Sequence, residues 1–293
     1  MCDVLTALAS ATAGGATLWA KNSDRPPGEE QRLEWLPPRH DDRPFRATYI
    51  DLDPAPSPTL GVLGSRPWWG WGLEHGVNTA GVAAGNLTVY TRLDPRGAPA
   101  ALTGMDLVRL ALERAATADA AVEVLTAALE RYGQGGSGHE GVDRPYWSSF
   151  VIADPRRAWV VDTSGPVWAA MAVEDTWASS NRTAIPSFDA EHRHPRQPVE
   201  RLVDPRLAAS HALLARGTVT VPALFDHLRS HDGVDGYSVC MHVPGIEQTN
   251  ASMVALLPRD GAPVVWALSG PPCEGIYRPA VVGPDPTPDR FRP

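Results

Sequence analysis

The opening of the chain constrains the fold more than any other feature. No residue from Val4 to Ala20 carries a charge, yet Gly14-Gly15 splits the run and the acidic Asp3 precedes it. A membrane helix needs roughly 18 uninterrupted apolar residues, and two adjacent glycines disqualify this one. A secretory signal needs basic residues ahead of its apolar stretch, where this chain has Met1-Cys2-Asp3, so Ala7-Leu8-Ala9 is not expected to be a cleavage site. The remaining reading is a hairpin: Val4 to Ala9 as one strand, a turn at Gly14-Gly15, and Thr17 to Lys21 as the return. With that turn, antiparallel partners sum to about 29, and Lys21 to Arg25 come back beside Leu8 to Val4.

The rest of the chain alternates runs of strands with runs of helices. Arg25 to Pro67 is rich in proline and charge and reads mostly as loop, with Arg46 to Ile50 as a short strand. Gly76 to Tyr90 reads as two buried strands about the Asn78-Thr79-Ala80-Gly81 turn. Thr103-Gly104-Met105-Asp106 is a capping-box pattern ahead of one helix, and Thr117 caps a second that Gly133 ends. Ser148 to Val173 is β again, helical segments follow near Leu207 to Ala215 and Pro222 to Ser230, and Ser252 to Leu257 and Pro263 to Leu268 are strands. Such grouping predicts α+β layers rather than alternating βαβ units. No linker divides the chain, so one domain is expected over 1–282, with a frayed Pro-rich tail over 283–293.

Composition narrows the partners. The 293 residues carry a net charge of −8, which argues against a nucleic-acid backbone or an anionic membrane surface. Three cysteines cannot all pair, and so few in a long chain point to a reducing, cytoplasmic compartment. A small-molecule substrate is expected, and a homo-oligomer is compatible with everything read so far.

Cys2 is the residue with the most chemical content. Removal of Met1 would leave a cysteine carrying both a thiol and a free α-amine. The amine titrates near ~7.7–8.0 and the thiol near ~8.5, so the amine can take the thiol proton at neutral pH. An N-terminal threonine with its own amine works in this way. The register of the hairpin brings Asp24 near the chain start, where it can anchor that amine or simply form an Asx turn. Arg25 can lower the thiol pKa, bind a substrate carboxylate, or remain a solvated loop residue.

The opening MCDVLTALASATAGGATLWAKNSDR resembles the start of the secernin and dipeptidase family of N-terminal-nucleophile (Ntn) hydrolases, related to penicillin V acylase and bile salt hydrolase. Further matching stretches are Trp71 to Asn78, Gly85-Asn86, Leu102 to Leu110, Tyr132 to Gly136 and Ser179-Ser180-Asn181. The resemblance implies a four-layer αββα sandwich of two stacked antiparallel sheets flanked by helices. It also implies amide hydrolysis through an acyl-enzyme on Cys2, with Asp24 holding the amine. By similarity to the acylases, Asn86 and Asn181 would be oxyanion donors, although both also fit strand-end turns. Lys21 departs from those relatives, which have arginine there. The implied activity is of dipeptidase type on a small peptide. The alternatives are an N-acyl amide hydrolase or acyltransferase at the same site, or a non-catalytic secernin-like regulatory protein.

Pro67-Trp68-Trp69-Gly70-Trp71-Gly72 gathers three of the ten tryptophans and suggests a substrate wall made by Trp68, Trp69 and Trp71, with core packing as the alternative. No cofactor is expected. Neither His192-x-His194 nor Cys240-x-His242 with Cys273 has the spacing of a strong structural zinc motif, so no metal is expected, and Cys240 and Cys273 read as packed thiols. The Gly133 to Gly138 stretch lacks the lysine-hydroxyl pair of a phosphate loop.

Overall fold

The computed structural model describes residues 1–40, 43–54, 58–196 and 199–283, so most of the expected tail lies outside the described residues. In chain order the first part comprises β1 (Cys2–Ala7), β2 (Thr17–Arg25), β3 (Gln31–Leu36), β4 (Phe45–Arg46), β5 (Asp51–Leu52), β6 (Val62–Pro67), β7 (His75–Asn78), β8 (Ala83–Val89), α1 (Gly104–Arg114) and α2 (Ala118–Tyr132). The second part comprises β9 (Trp147–Ala153), β10 (Ala158–Ser164), β11 (Val167–Val173), β12 (Thr176–Ser179), α3 (Pro186–His192), α4 (Val199–Leu202), α5 (Asp204–Leu214), α6 (Val221–Leu228), β13 (His242–Val243), β14 (Glu247–Leu257), β15 (Val264–Ser269) and β16 (Arg278–Val281).

Two antiparallel sheets carry the architecture. One runs β12-β1-β2-β14-β15-β16, with β13 paired to β14, and the other runs β11-β10-β9-β8-β7-β6-β3. Cys2, Val4 and Trp19 of the first sheet pack with Leu63, Val77, Leu87 and Val151 of the second, so the sheets meet face to face. The outer face of the second sheet is covered by α1 and α2 through Leu107, Leu110, Leu125 and Phe150. The outer face of the first is covered by α5 and α6 through Leu5, Leu18, Leu213 and Leu228. This is the expected αββα sandwich. It explains the uncharged opening: β1 and β2 are central strands buried on both faces, so neither face tolerates an unpaired charge.

The helix pair over the second sheet begins as its caps predict. Thr103 and Asp106 form the reciprocal capping box, Thr117 accepts from Ala120, and Gly133 ends α2 with a φ of 74°.

The opening hairpin departs from expectation in register. Cys2 pairs with Ser23 and Val4 with Lys21, so partners sum to 25 rather than about 29, and β2 continues to Arg25. The cause is an asymmetric connection. A 3-10 turn at Ala9–Ala11 takes up residues on the β1 side, leaving Gly14-Gly15 off the centre of the turn. The four-residue shift sets Lys21 and Ser23 beside the chain start. Two further corrections concern Arg25 to Pro67. It holds β3 and β6 rather than loop, and Arg46 to Ile50 is the bend of a short hairpin, with Ala47 N–H donating to the Ile50 carbonyl at 2.9 Å.

Candidate active site

Strand alternation sorts the residues around Cys2. On β2, Lys21, Ser23 and Arg25 share the parity of Trp19 and face the space between the sheets, while Asn22 and Asp24 share the parity of Leu18 and Ala20 and face the helices. Cys2 and Val4 likewise face inward, and Asp3 faces α5.

On the inner face a buried network surrounds the thiol. Lys21 Nζ donates to Cys2 Sγ at 3.5 Å and to Glu74 Oε2 at 3.2 Å, and also donates to Ser23 Oγ. The other Glu74 oxygen receives Arg25 at 3.2 Å, and Arg25 is clamped by Glu29 at 2.6 and 2.9 Å and by the Gly138 carbonyl. Ser23 Oγ lies 3.0 Å from Nδ1 of His75, whose pKa burial and then the Lys21 charge push well below the ordinary value, so the ring is neutral. Burial pushes the Cys2 thiol up, with Lys21 the strongest opposing influence. Burial would also raise the Glu74 carboxyl, but Lys21 and Arg25 outweigh it and the group titrates below its usual value.

On the other face the nitrogen of Cys2 is gripped. It donates to Asn181 Oδ1 at 2.8 Å, and the same oxygen receives Arg206 at 3.0 Å. The Asn181 amide nitrogen donates to the Thr88 carbonyl at 2.9 Å. Asp24 Oδ1 accepts from Thr249 at 2.7 Å, while Oδ2 is buried without a hydrogen bond, 3.8 Å from Arg206. Burial raises Asp24 to about 6, against the opposing charges of the chain-terminal amine and Arg206. Met1 lies over this end, its amine donating to the Asp24 carbonyl at 3.1 Å and paired with Glu247. Burial pushes that amine below its ordinary value.

Cys2, Asp24, Arg25, Asn86 and Asn181 thus converge on the chain-start end of β1 and β2, Arg25 and Asn86 on the inter-sheet side and Asp24 on the helix side. Asn86 reaches the network through Glu74: oriented with its nitrogen toward that residue, it donates to Glu74 Oε2 at 3.0 Å and to the Glu74 carbonyl at 3.1 Å. The tryptophans do not act as a unit. Trp69 donates to Glu29 at 3.2 Å and so borders the Arg25 pair, and Trp68 is 43% exposed. Trp71 packs against the helix-facing core, with the Arg109 guanidinium 4.2 Å from its ring centre. A cavity of about 420 Å³ opens beside Arg25 along loop 136–145, lined by Arg96, Ser137, His139 and Asp143 among others; Cys2 does not line it.

The sequence reading passed over Glu74, Arg206 and Thr249. Glu74 had a usable signal, being a charged residue between Leu73 and the apolar strand that begins at His75. Arg206 and Thr249 had none, because only the packing of α5 and β14 beside β1 and β2 brings them in. Elsewhere, Cys240, His242 and Cys273 come together with His231, and His192 instead stacks on Phe188.

Residues 2–203 match the family model of peptidase family C69. Among solved structures, penicillin V acylase from Agrobacterium tumefaciens superposes with a TM-score of 0.58 at 13% identity, covering 92% of this chain and 83% of that one. A C2A variant of conjugated bile acid hydrolase from Clostridium perfringens gives 0.56 at 12%, covering 95% and 96%. The N-acylethanolamine-hydrolyzing acid amidase ortholog of Caenorhabditis elegans gives 0.51 at 12%, covering 86% and 92%. At such identities these likenesses concern the fold, and the family follows from the matching model, which spans more than half the sequence: the chain belongs to peptidase family C69, the secernin and dipeptidase family, and is a hydrolase of amide bonds.

Proposed function

We propose that the protein is a dipeptidase whose nucleophile is Cys2 after removal of Met1. The observation that carries this reading is the setting of the Cys2 nitrogen. It lies 2.8 Å from Asn181 Oδ1, with Asp24 Oδ2, buried without a hydrogen bond and 3.8 Å from Arg206, close enough to influence both the terminal amine and the thiol. An amine freed at Cys2 would meet the Asn181 oxygen and the negative charge of Asp24, a setting that suits an ammonium.

In this reading the thiol adds to the substrate carbonyl carbon as its proton passes to the α-amine. The amine then protonates the departing nitrogen, and the C–N bond breaks to leave an acyl-cysteine. Water adds next, giving its proton to the amine, and the product carboxylate leaves as the thiol is restored. Asn181 Oδ1 and Asp24 orient the amine, so Asn181 serves the base rather than the oxyanion. Asn86 turns its amide from Glu74 toward the developing oxyanion. Lys21 supplies positive charge at the sulfur, and Arg25, already held by Glu29, Glu74 and Gly138, positions Glu74. The cavity along loop 136–145, with Arg96 and Asp143 in its wall, matches the charged ends of a short peptide better than a long acyl chain.

The test combines intact mass with a panel of dipeptides and N-acyl amides. The expected outcome is a chain lacking Met1 that cleaves dipeptides, with kcat/KM about 10³-fold lower or worse in Cys2→Ala. Retention of Met1 in active enzyme, equal turnover by Cys2→Ala, or cleavage of acyl amides alone would overturn it.

A further inference from the structure

We infer that His231, Cys240, His242 and Cys273 form a tetrahedral zinc site, separate from the Cys2 centre, that clamps the segment after α6 onto the connection between β15 and β16. One ligand atom from each of the four lies within 4.8 Å of every other. Two of its edges are short: His242 Nε2 is 3.4 Å from Cys240 Sγ and 3.2 Å from Cys273 Sγ. A zinc ion with Zn–S near ~2.3 Å and Zn–N near ~2.0–2.1 Å requires S···N edges of roughly 3.5 Å and S···S edges of roughly 3.8 Å. The cluster therefore already has the dimensions of a ligand shell.

A metal ion serves the cluster better than thiol hydrogen bonds alone. A neutral imidazole nitrogen offers either one proton or one lone pair, and His242 Nε2 faces two sulfurs at once. A cation between them satisfies both, and His231, whose ring stands edge-on to that of His242 at 5.0 Å, supplies the fourth donor. Two sulfurs and two imidazoles are a borderline-soft set that selects zinc over magnesium or calcium. Four protein ligands leave no open position, so the site is structural.

Its place in the fold gives the clamp a purpose. Asn22 on β2 holds the segment on both sides of His231 by donating to the Leu228 and Val239 carbonyls at 2.9 and 2.8 Å. Between Cys240 and His242, Met241 exchanges hydrogen bonds with Thr249 at 2.9 and 3.0 Å, and Thr249 is the residue that donates to Asp24. Fixing Cys240 and His242 to Cys273 steadies Met241, and through it the residue that orients Asp24. The sequence concealed this because Cys273 comes from a separate connection, between β15 and β16, and Cys240-x-His242 is too short a pair to read as a zinc motif.

Full-length protein purified under reducing conditions without a metal-affinity tag should carry about one zinc ion per chain by elemental analysis. Replacement by cobalt should give thiolate charge-transfer absorption and tetrahedral visible bands. Cys273→Ser should reduce zinc to background and abolish those bands. Because Cys273→Ser could also fail to fold, His231→Asn at an exposed position provides the second variant, and it should lose the tetrahedral cobalt spectrum while keeping the wild-type circular dichroism. A strong chelator should lower the melting temperature of wild type and leave Cys273→Ser unmoved. The inference is overturned by reduced protein that takes up no zinc on reconstitution, by zinc content and cobalt spectra unchanged in both variants, or by a Cys240–Cys273 disulfide in the isolated protein. None of these readouts depends on turnover, so the dipeptidase reading can fail without it.

Discussion

The two sides of the second sheet solve opposite problems with the same strands. Its outer face, under α1 and α2, packs Leu107, Leu110, Leu125 and Phe150 into an apolar layer. Its inner face is apolar around Val77 and Leu87, yet at the chain-start end it buries Glu74 and His75 against Lys21, Ser23 and Arg25. The outer face gains stability from area removed from water. The inner end takes charges out of water, where the desolvation cost is recovered only through complete pairing. Stability and chemistry are thus assigned to opposite surfaces of one sheet, and substitutions should separate them.

The largest effect is expected at Glu74, the carboxylate shared by Lys21 and Arg25. Glu74→Gln leaves buried Lys21 without a carboxylate and Arg25 with Glu29 alone, and should cost about 3 kcal/mol in urea unfolding, with a fall in kcat/KM. A variant with wild-type stability and turnover would show that the network is dispensable. Leu107→Ala, on the outer face, should cost about 3 kcal/mol through the cavity it leaves, while kcat/KM per folded molecule stays unchanged. A drop in turnover that tracks the lost stability would break the division between the faces.

Asp24, on the helix side of β2 beside the chain start, adds a pH dependence. Its folded-state value of about 6 lies above its ordinary 3.8, so folding favours the protonated carboxyl. The stability this provides is present below about 3.8 and is lost as pH rises through about 6, amounting to at most about 3 kcal/mol. Urea titrations of the unprocessed chain from pH 4 to 7 should show this decline, and Asp24→Asn should flatten it. A slope unchanged by the substitution would place the titration elsewhere.

How much of this was readable before folding depended on how local each cause is. The capping box at Thr103, the Thr117 cap and the Asn78 to Gly81 turn are written in a few adjacent residues, and all formed where expected. The register of the opening hairpin was misread because Gly14-Gly15 looked like the centre of a symmetric turn, while the 3-10 turn at Ala9–Ala11 leaves no comparable mark. Cys2, Asp24 and Asn181 could be nominated from their motifs. That Asn181 turns its oxygen to the Cys2 nitrogen and its own nitrogen to Thr88 depends on β12 pairing with β1, a contact spanning most of the chain. Trp71 was proposed for a pocket and packs instead, because Arg109, one turn into a helix that the sequence did predict, stacks on it.

The smallest effect is expected at Gly85 of β8, which lies close against Lys21 and Trp19 of the first sheet beside the site. A Cβ there would lie 2.6 Å from Lys21 Cδ and 3.0 Å from the Trp19 ring. The ring is fully buried and donates to the Val151 carbonyl at 3.3 Å, so it cannot move aside without losing that bond. The lysine stem therefore has to give, carrying Nζ away from Cys2 Sγ. Gly85→Ala should cost about 1–2 kcal/mol by overpacking. It should also slow alkylation of Cys2 at neutral pH, because the thiolate loses the ammonium that opposes the upward push of burial. Gly275→Ala, whose Cβ would meet Leu268 at 3.2 Å far from the thiol, serves as the packing control. If both variants lose stability and only Gly85→Ala slows alkylation, the glycine at the inner end is kept for the path of Lys21; equal alkylation rates would reduce it to a packing requirement like those of the outer face.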